Sequence, residues 1–369
     1  FNLCARIKMN WSLINESGVV YSAKDMDRVD RLCFPTRADR AEDGTYLISE
    51  ELGVEKQVPF RFECRTIRVD AGGRILFDTV EKGIDDGFGC LMADGWIAIL
   101  RRTKWELLIV SPEGHISKRV DLSRCSKRIP RFATWTSHET FVVVFFNRSF
   151  EVDVVEIDRQ GRLLWCLPTS DHPIGIVGSA QLLPNGHILI ADPFRHVVIE
   201  VNRNGHVSGQ LGEVENPSST HTRLASPTSA FECSDGRRLF ADCRNQRVFV
   251  LDTDGSVQSI NTPSGDFCDP TYAAPLEDGH CLVCDTGNER VVELDEQGDI
   301  VWEYGNQTAA KRHLCYPRSV DVIGSGRFLV ADTANDRVVE LADGVTKEMP
   351  FQGQPDLFWP RCARMLPSG

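Results

Sequence analysis

The chain has 369 residues, with 53 acidic side chains against 41 basic ones and a formal net charge of −12. That length holds one large all-β domain or two average ones, and the acidic balance disfavours nucleic acid or an anionic membrane as a general partner, since both want a basic footprint. No apolar run approaches the roughly 20 residues of a membrane-spanning helix. The 13 cysteines are an odd number, scattered over strand positions such as Cys64, Cys166 and Cys243. That spread suits reduced, buried thiols in a cytoplasmic protein better than a disulfide framework. No secretory leader is recognisable, but the chain opens on Phe1 rather than Met, so export stays open. Cys281 and Cys284 form the single C-x-x-C, and at positions i and i+3 of a strand they face opposite ways, which does not make a zinc or redox pair.

In chain order, residues 1–25 read as three short strands with no inner strand before them. A unit then repeats. Each copy opens on an inner strand, A, marked at Pro35, Asp86, Pro130, Val177, Pro227, Pro270, Pro317 and Pro360, at spacings of about 43 to 51 residues. An Asp-Gly or Asn-Gly turn follows in five units (Asp43-Gly44, Asp94-Gly95, Asn185-Gly186, Asp235-Gly236, Asp278-Gly279), a pair that tolerates the positive φ of a tight hairpin. Strand B is apolar, strand C alternates as in Val291-Val292-Glu293-Leu294, and a second glycine turn leads into strand D. The third residue after the mark is small at Ala38, Gly89, Ala133, Ala180, Ala230, Ala273 and Ala363, with Val320 the exception. Small residues fit where inner strands crowd toward an axis. The last segment, from Pro360, reads as strand A alone, so the two chain ends complement each other.

The expectation is an all-β protein: a single β-propeller domain over residues 1–369. It has eight four-stranded blades, or seven if one N-terminal unit is irregular. The ring is closed by a split blade of C-terminal strand A plus N-terminal strands B–D. Closure would remove the exposed sheet edges that invite aggregation.

Four stretches carry the repeat most clearly: GHILIADPFRHVVIEVNRNGHV from Gly186, GRRLFADCRNQRVFVLDTDGSV from Gly236, GHCLVCDTGNERVVELDEQGDI from Gly279 and GRFLVADTANDRVVELADGVTK from Gly326. This pattern resembles the NHL repeat, a four-stranded propeller blade, over about residues 170–350. The stretch GSAQLLPNGHILIAD is also similar to repeats of arylsulfotransferase-type bacterial propellers. The first resemblance implies lyases, cyclising or alkylating enzymes, or modules that bind protein or RNA. The second implies a histidine that takes a sulfuryl group beside basic residues, and no single position here matches that histidine.

Asp192, Asp242, Asp285 and Asp332 recur at the end of strand B. Arg247, Arg290 and Arg337 follow, with Arg195 and His196 in the fourth unit, and Asn245, Asn288 and Asn335 lie between. A catalytic group is needed once, so repetition points to scaffold: carboxylates accepting turn N–H groups or pairing with arginine.

Function is sought where the repeat is broken near the channel mouth. Arg131, Arg318 and Arg361 directly follow the strand-A proline, and Arg37 stands one residue later. These four arginines either pair internally with Asp39, Asp86 and Asp321 or form a pocket for a carboxylate, sulfate or phosphate. His172, His221 and His313 lie in D–A loops and are the candidate acid, base or nucleophile, against the plainer reading of solvated surface residues. Tyr272, Phe88 and Phe132 occupy the second place after the mark and would give the pocket apolar walls. The functional expectation is a small-molecule enzyme of the transferase, lyase or cyclase class, with a non-catalytic NHL-type protein-interaction scaffold as the alternative. A small-molecule substrate is therefore the expected partner, and a protein the alternative. No cofactor is required by the sequence. A divalent metal at the mouth would need carboxylates or histidines converging from several blades, which a linear sequence leaves open.

Overall fold

The computed structural model describes residues 12–14, 20–22, 43–52, 63–69, 75–79, 82–84, 87–92, 95–136, 138–147, 151–167, 174–219, 223–260, 267–276, 279–305, 314–324, 326–335, 337–342, 345–348 and 360–367. Six antiparallel four-stranded sheets are each continuous in sequence. Blade II runs from Gly87–Leu91 to Ile116–Asp121, blade III from Ile129–Trp135 to Leu163–Cys166, and blade IV from Ser179–Leu182 to Val207–Gly212. Blade V runs from Pro227–Glu232 to Val257–Ile260, blade VI from Pro270–Pro275 to Ile300–Gly305, and blade VII from Pro317–Gly324 to Val345–Glu348. A further four-stranded sheet, blade I, is composite: the C-terminal strand Pro360–Pro367 pairs with Asp43–Leu52, which continues into Glu63–Val69 and Ile75–Asp78.

This corrects the eight-blade expectation. Asp43-Gly44 does not follow an inner strand of its own: Asp43–Leu52 takes Pro360–Pro367 as its inner neighbour. Ser12–Ile14 and Val20–Ser22 form a two-stranded pair rather than the outer part of a split blade. The C-terminal strand does complete a sheet with N-terminal strands, but with those one repeat further along the chain. The strand mark at Pro35 lies outside the described residues; the physical reason for the change is that Asp43–Leu52 already has a neighbour on each side, Pro360–Pro367 and Glu63–Val69.

Hydrophobic faces join the sheets. One buried cluster runs through blades II, III and IV by way of Phe88, Phe132, Phe141, Trp165 and Ile190. Another joins blades V, VI and VII through Phe231, Tyr272 and Phe328. A third unites Leu47 and Ile67 of blade I, Ile99 of blade II, and Leu329 of blade VII.

Hydroxyls stitch the inner strands together. The N–H groups of Ala230 and Ala273 donate to Ser179 Oγ (3.0 Å) and Ser229 Oγ (3.1 Å) of the preceding blade. Gly89 N–H donates to Ser49 Oγ at 3.1 Å, and a Cβ built on Gly89 would lie 2.5 Å from Thr66 Cγ2. At Gly89 the small residue is therefore required because Thr66 and Ser49 of the neighbouring blade occupy the space a side chain would need. Among the described residues no helix is long and apolar enough to cross a membrane. The nine cysteines whose side chains are described are unbridged, and burial pushes the Cys281 thiol up to about 12.

Candidate functional site: the mouth face

Antiparallel pairing puts the end of strand B, the start of strand C, the end of strand D and the start of strand A at one face of each described sheet. The buried aspartates hold that face together. Asp242 Oδ1 accepts the N–H of Ala225 (2.7 Å), while its Oδ2 accepts from Asn245 Nδ2 (2.7 Å) and Arg247 Nε (2.8 Å). Asp285 repeats this with Cys268 N–H (2.7 Å), Asn288 Nδ2 (2.8 Å) and Arg290 Nε (2.6 Å). Asp332 accepts from Cys315 N–H (2.6 Å) and Asn335 Nδ2 (2.8 Å). Each carboxylate thus ties the loop entering strand A to the B–C turn, which is the scaffold role the repetition implied.

Blade IV departs from this pattern. Asp192 accepts four backbone N–H groups, from Gly175, Ile176, Phe194 and Arg195, at 2.6 to 3.2 Å. Val197 stands where blades V and VI carry Arg247 and Arg290. Burial, offset in part by those N–H groups and by Arg195, pushes the Asp192 carboxyl up to about 6.

A second device links neighbouring blades. Trp105, His196 and Gln246 end their B–C turns with φ of 50°, 63° and 55°. Each reaches the loop that enters the next blade. Trp105 Nε1 donates to Arg128 O (2.6 Å), His196 Nδ1 accepts the N–H of Ser226 (3.0 Å), and Gln246 Oε1 accepts that of Asp269 (2.9 Å). That bond gives neutral His196 its proton on Nε2.

The head of strand A carries a bulge in five blades. The strand register skips one residue after Pro130, Pro227, Pro270, Pro317 and Pro360. The skipped residues are Arg131, Thr228, Thr271, Arg318 and Arg361. A bulge re-aims the side chain of its extra residue and recurs beside functional sites. Blades II and IV have no bulge there and carry glycine instead; a Cβ on Gly178 would lie 2.7 Å from Thr228 O.

The two threonines are committed to neighbours: Thr228 Oγ1 to the carbonyls of Ala241 and Pro270 (each 3.4 Å), and Thr271 Oγ1 to Thr286 Oγ1 (2.6 Å). The two described guanidinium groups lie on rings instead. Arg131 Cζ stands 3.7 Å from the centroid of Phe146, and Arg318 Cζ 5.0 Å from that of Tyr316. Such stacking fixes the plane of a guanidinium.

The structure therefore gives Arg131, Arg318 and Arg361 the same bulged place at the head of their inner strands, with the Arg361 side chain outside the described set. Arg37, His172, His221 and His313 also lie outside the described residues. Phe88, Phe132 and Tyr272 do not wall a mouth. They are 2%, 4% and 3% exposed and fill the cores between blades, Tyr272 edge-on to Phe231 at 5.8 Å. For Phe132 and Tyr272 the expectation failed because the bulge takes the first residue after the proline out of the ladder and returns the second to the sheet face; Phe88, in a blade without the bulge, enters the same core by plain pairing with Leu100. Apolar surface at the mouth comes from Ile129, Phe194 and Val214, exposed by 40%, 44% and 44%. They belong to no repeat, and no spacing rule singles them out. Among the described residues no group of three or more His, Cys, Asp or Glu could hold a metal ion.

Comparison with protein-family models gives no match, and neither does comparison with curated proteins. Solved structures do match. A functionally unknown protein from Desulfotomaculum acetoxidans is 12% identical, with 88% of this chain and 99% of that one covered and a TM-score of 0.60. A streptogramin B lyase is 12% identical over 84% of this chain and 89% of its own, with a TM-score of 0.56. The chain is a β-propeller. A catalytically inactive virginiamycin B lyase from Staphylococcus aureus, in complex with quinupristin, gives 13% identity, 84% and 90% coverage and the same TM-score, 0.56. At these identities the likeness is one of fold.

Proposed function

We propose that this propeller is a small-molecule enzyme of the lyase, transferase or cyclase class whose active site lies at the channel mouth. The carrying observation is that three of the five bulged residues heading the inner strands are arginines. They stand in blades VII, I and III, whereas blades V and VI carry Thr228 and Thr271 at the same place. We infer a ring of seven blades of NHL type, closed by composite blade I, which sets these arginines around one opening. Arg131, Arg318 and Arg361, with Arg37, anchor an anionic or polar group of the substrate by paired N–H bonds. His172, His221 or His313, from loops above, supplies the acid, base or nucleophile. The anchoring guanidinium groups offset negative charge as it develops in the transition state. Lyases among proteins of the same fold are in keeping with this reading.

The test is a crystal soaked in sulfate. An ordered sulfate held by two or more of these arginines, with one of the three histidines in hydrogen-bond reach, is the expected result. Arginines all paired to protein carboxylates, with no anion between them, would sink the reading. The second reading is a non-catalytic protein-interaction scaffold. It is favoured by Leu163 and Leu164, adjacent on an outer edge strand and 44% and 45% exposed.

A further inference from the structure

We propose that the sector of the mouth formed by blades III and IV receives an organic anion with a bulky apolar body: Arg131 takes the head group, and Ile129, Phe146 and Phe194 take the body. This rests on the mouth being the ligand site and adds the class of ligand.

The geometry of blade III carries the first half. Ile129 pairs across the sheet with Phe146, and the bulge between Pro130 and Phe132 frees Arg131 from the ladder. The guanidinium of Arg131 then lies 3.7 Å from the Phe146 ring centroid. One short stretch of sheet therefore presents a cation, an aromatic ring that is half-buried, and an isoleucine that is 40% exposed. A solvated polar anion such as phosphate has no use for the two apolar groups. An amphipathic anion removes them from water while its head meets the guanidinium.

Blade IV carries the second half. Phe194 is 44% exposed, yet its ring is held in place. Its N–H donates to Asp192 Oδ1 at 3.1 Å, and a Cβ built on Gly175 would lie 2.6 Å from its Cδ1. Only glycine at 175 lets the ring rest on the loop that enters strand A. Val214, 44% exposed on the following D–A loop, extends the same surface. The other large exposed apolar side chains described, Leu76, Leu163, Leu164 and Val301, all lie on outer strands, away from the mouth. The exposed apolar side chains described at the mouth end thus belong to blade III, which carries Arg131, and to the blade that follows it, and none belongs to blades V or VI. An aromatic ring fixed in advance loses little freedom on binding, as a ligand surface requires.

The experiment is a ligand-observed NMR titration of the full chain at pH 7.5 with three probes: 1-naphthoate, acetate and neutral 1-naphthalenemethanol. Naphthoate is expected to bind at least about tenfold more tightly than either of the others, since each lacks one of the two contacts. Phe194→Ala and Ile129→Ser, both at exposed positions, should each weaken naphthoate by about three- to tenfold and leave acetate unchanged. Arg131→Gln should weaken both anions. Naphthoate no tighter than acetate, with Phe194→Ala silent, overturns the apolar body and leaves the anion reading of the mouth standing. Naphthalenemethanol as tight as naphthoate overturns the head group. If neither anion binds and Arg131→Gln changes nothing, the mouth itself is not the ligand site, and both readings fall.

Discussion

Replacing Arg290 by methionine should strand a carboxylate in the interior of blade VI, and blade IV shows in advance what that costs. Arg290 and Asp285 are buried, with side chains 4% and 0% exposed and Nε 2.6 Å from Oδ2. Arg290 also lies 3.4 Å from Glu303, but that carboxylate is one-third exposed and contributes little. Methionine fills the aliphatic space and removes the charge. Asp192 occupies the same place in blade IV with Val197 where blade VI has Arg290, and its carboxyl is pushed from 3.8 up to about 6 by burial, offset only in part by backbone N–H groups and Arg195. A shift of that size in one acid is worth roughly 3 kcal/mol, in line with the about 3–5 kcal/mol typical of a broken buried pair.

The sign follows from proton counting. An acid whose folded pKa is raised binds its proton more tightly in the native state. Stability is therefore lost as pH rises through the window from the unfolded value to the folded one, and is constant above it. If the stranded Asp285 behaves as Asp192 does, the loss in Arg290→Met relative to the parent is full at pH 8 and smaller by roughly 1–2 kcal/mol at pH 5. Urea unfolding of both proteins at the two pH values reads this directly. Adding Asp285→Asn should restore part of the loss at pH 8, because an amide carries no charge to desolvate. An equal loss at pH 5 and pH 8, with no rescue by Asp285→Asn, would refute the argument that the aspartates are scaffold carboxylates whose charge must be matched.

Two further outcomes are expected. Gly89→Ala should cost about 1–3 kcal/mol in thermal unfolding, since the new methyl must displace Thr66 and the Ser49 hydroxyl that bridges blades I and II; an unchanged midpoint would mean the inner strands are not closely packed there. In the native protein at pH 7.5, maleimide should label exposed Cys166 and spare Cys281 and Cys284, both buried with thiol pKa raised by burial. Mass-spectrometric detection of a label on Cys284 before unfolding would contradict that burial.

Strand content, turn positions and scaffold residues were legible in the sequence because each depends on local chemistry. Asn185-Gly186 and Asp235-Gly236 make the expected turns, with Gly186 and Gly236 at φ of 81° and 85°, whereas Asp43-Gly44 opens the strand Asp43–Leu52 instead of turning. The run Val291 to Leu294 makes a strand as expected, but packing between blades buries both of its faces, Val291 and Val292 alike at 0% exposed. Asp242, Asp285 and Asp332 announced their scaffold role by recurring. Three matters were decided only by tertiary structure. Blade I pairs residues 43–52 with 360–367, at the far end of the chain, and no local signal distinguishes that partner from another inner strand. The bulge after the strand-A proline depends on pairing with strand B. It decides that Arg131 leaves the sheet while Phe132 enters the core, against the expectation that Phe132 lines the mouth. The exposed surface made by Ile129, Phe194 and Val214 exists only because three non-repeating side chains, distant in sequence, reach the same face. Sequence determines what a segment forms by itself; which segments meet, and which side chains that meeting leaves facing water, is settled by the packing of blades around the ring.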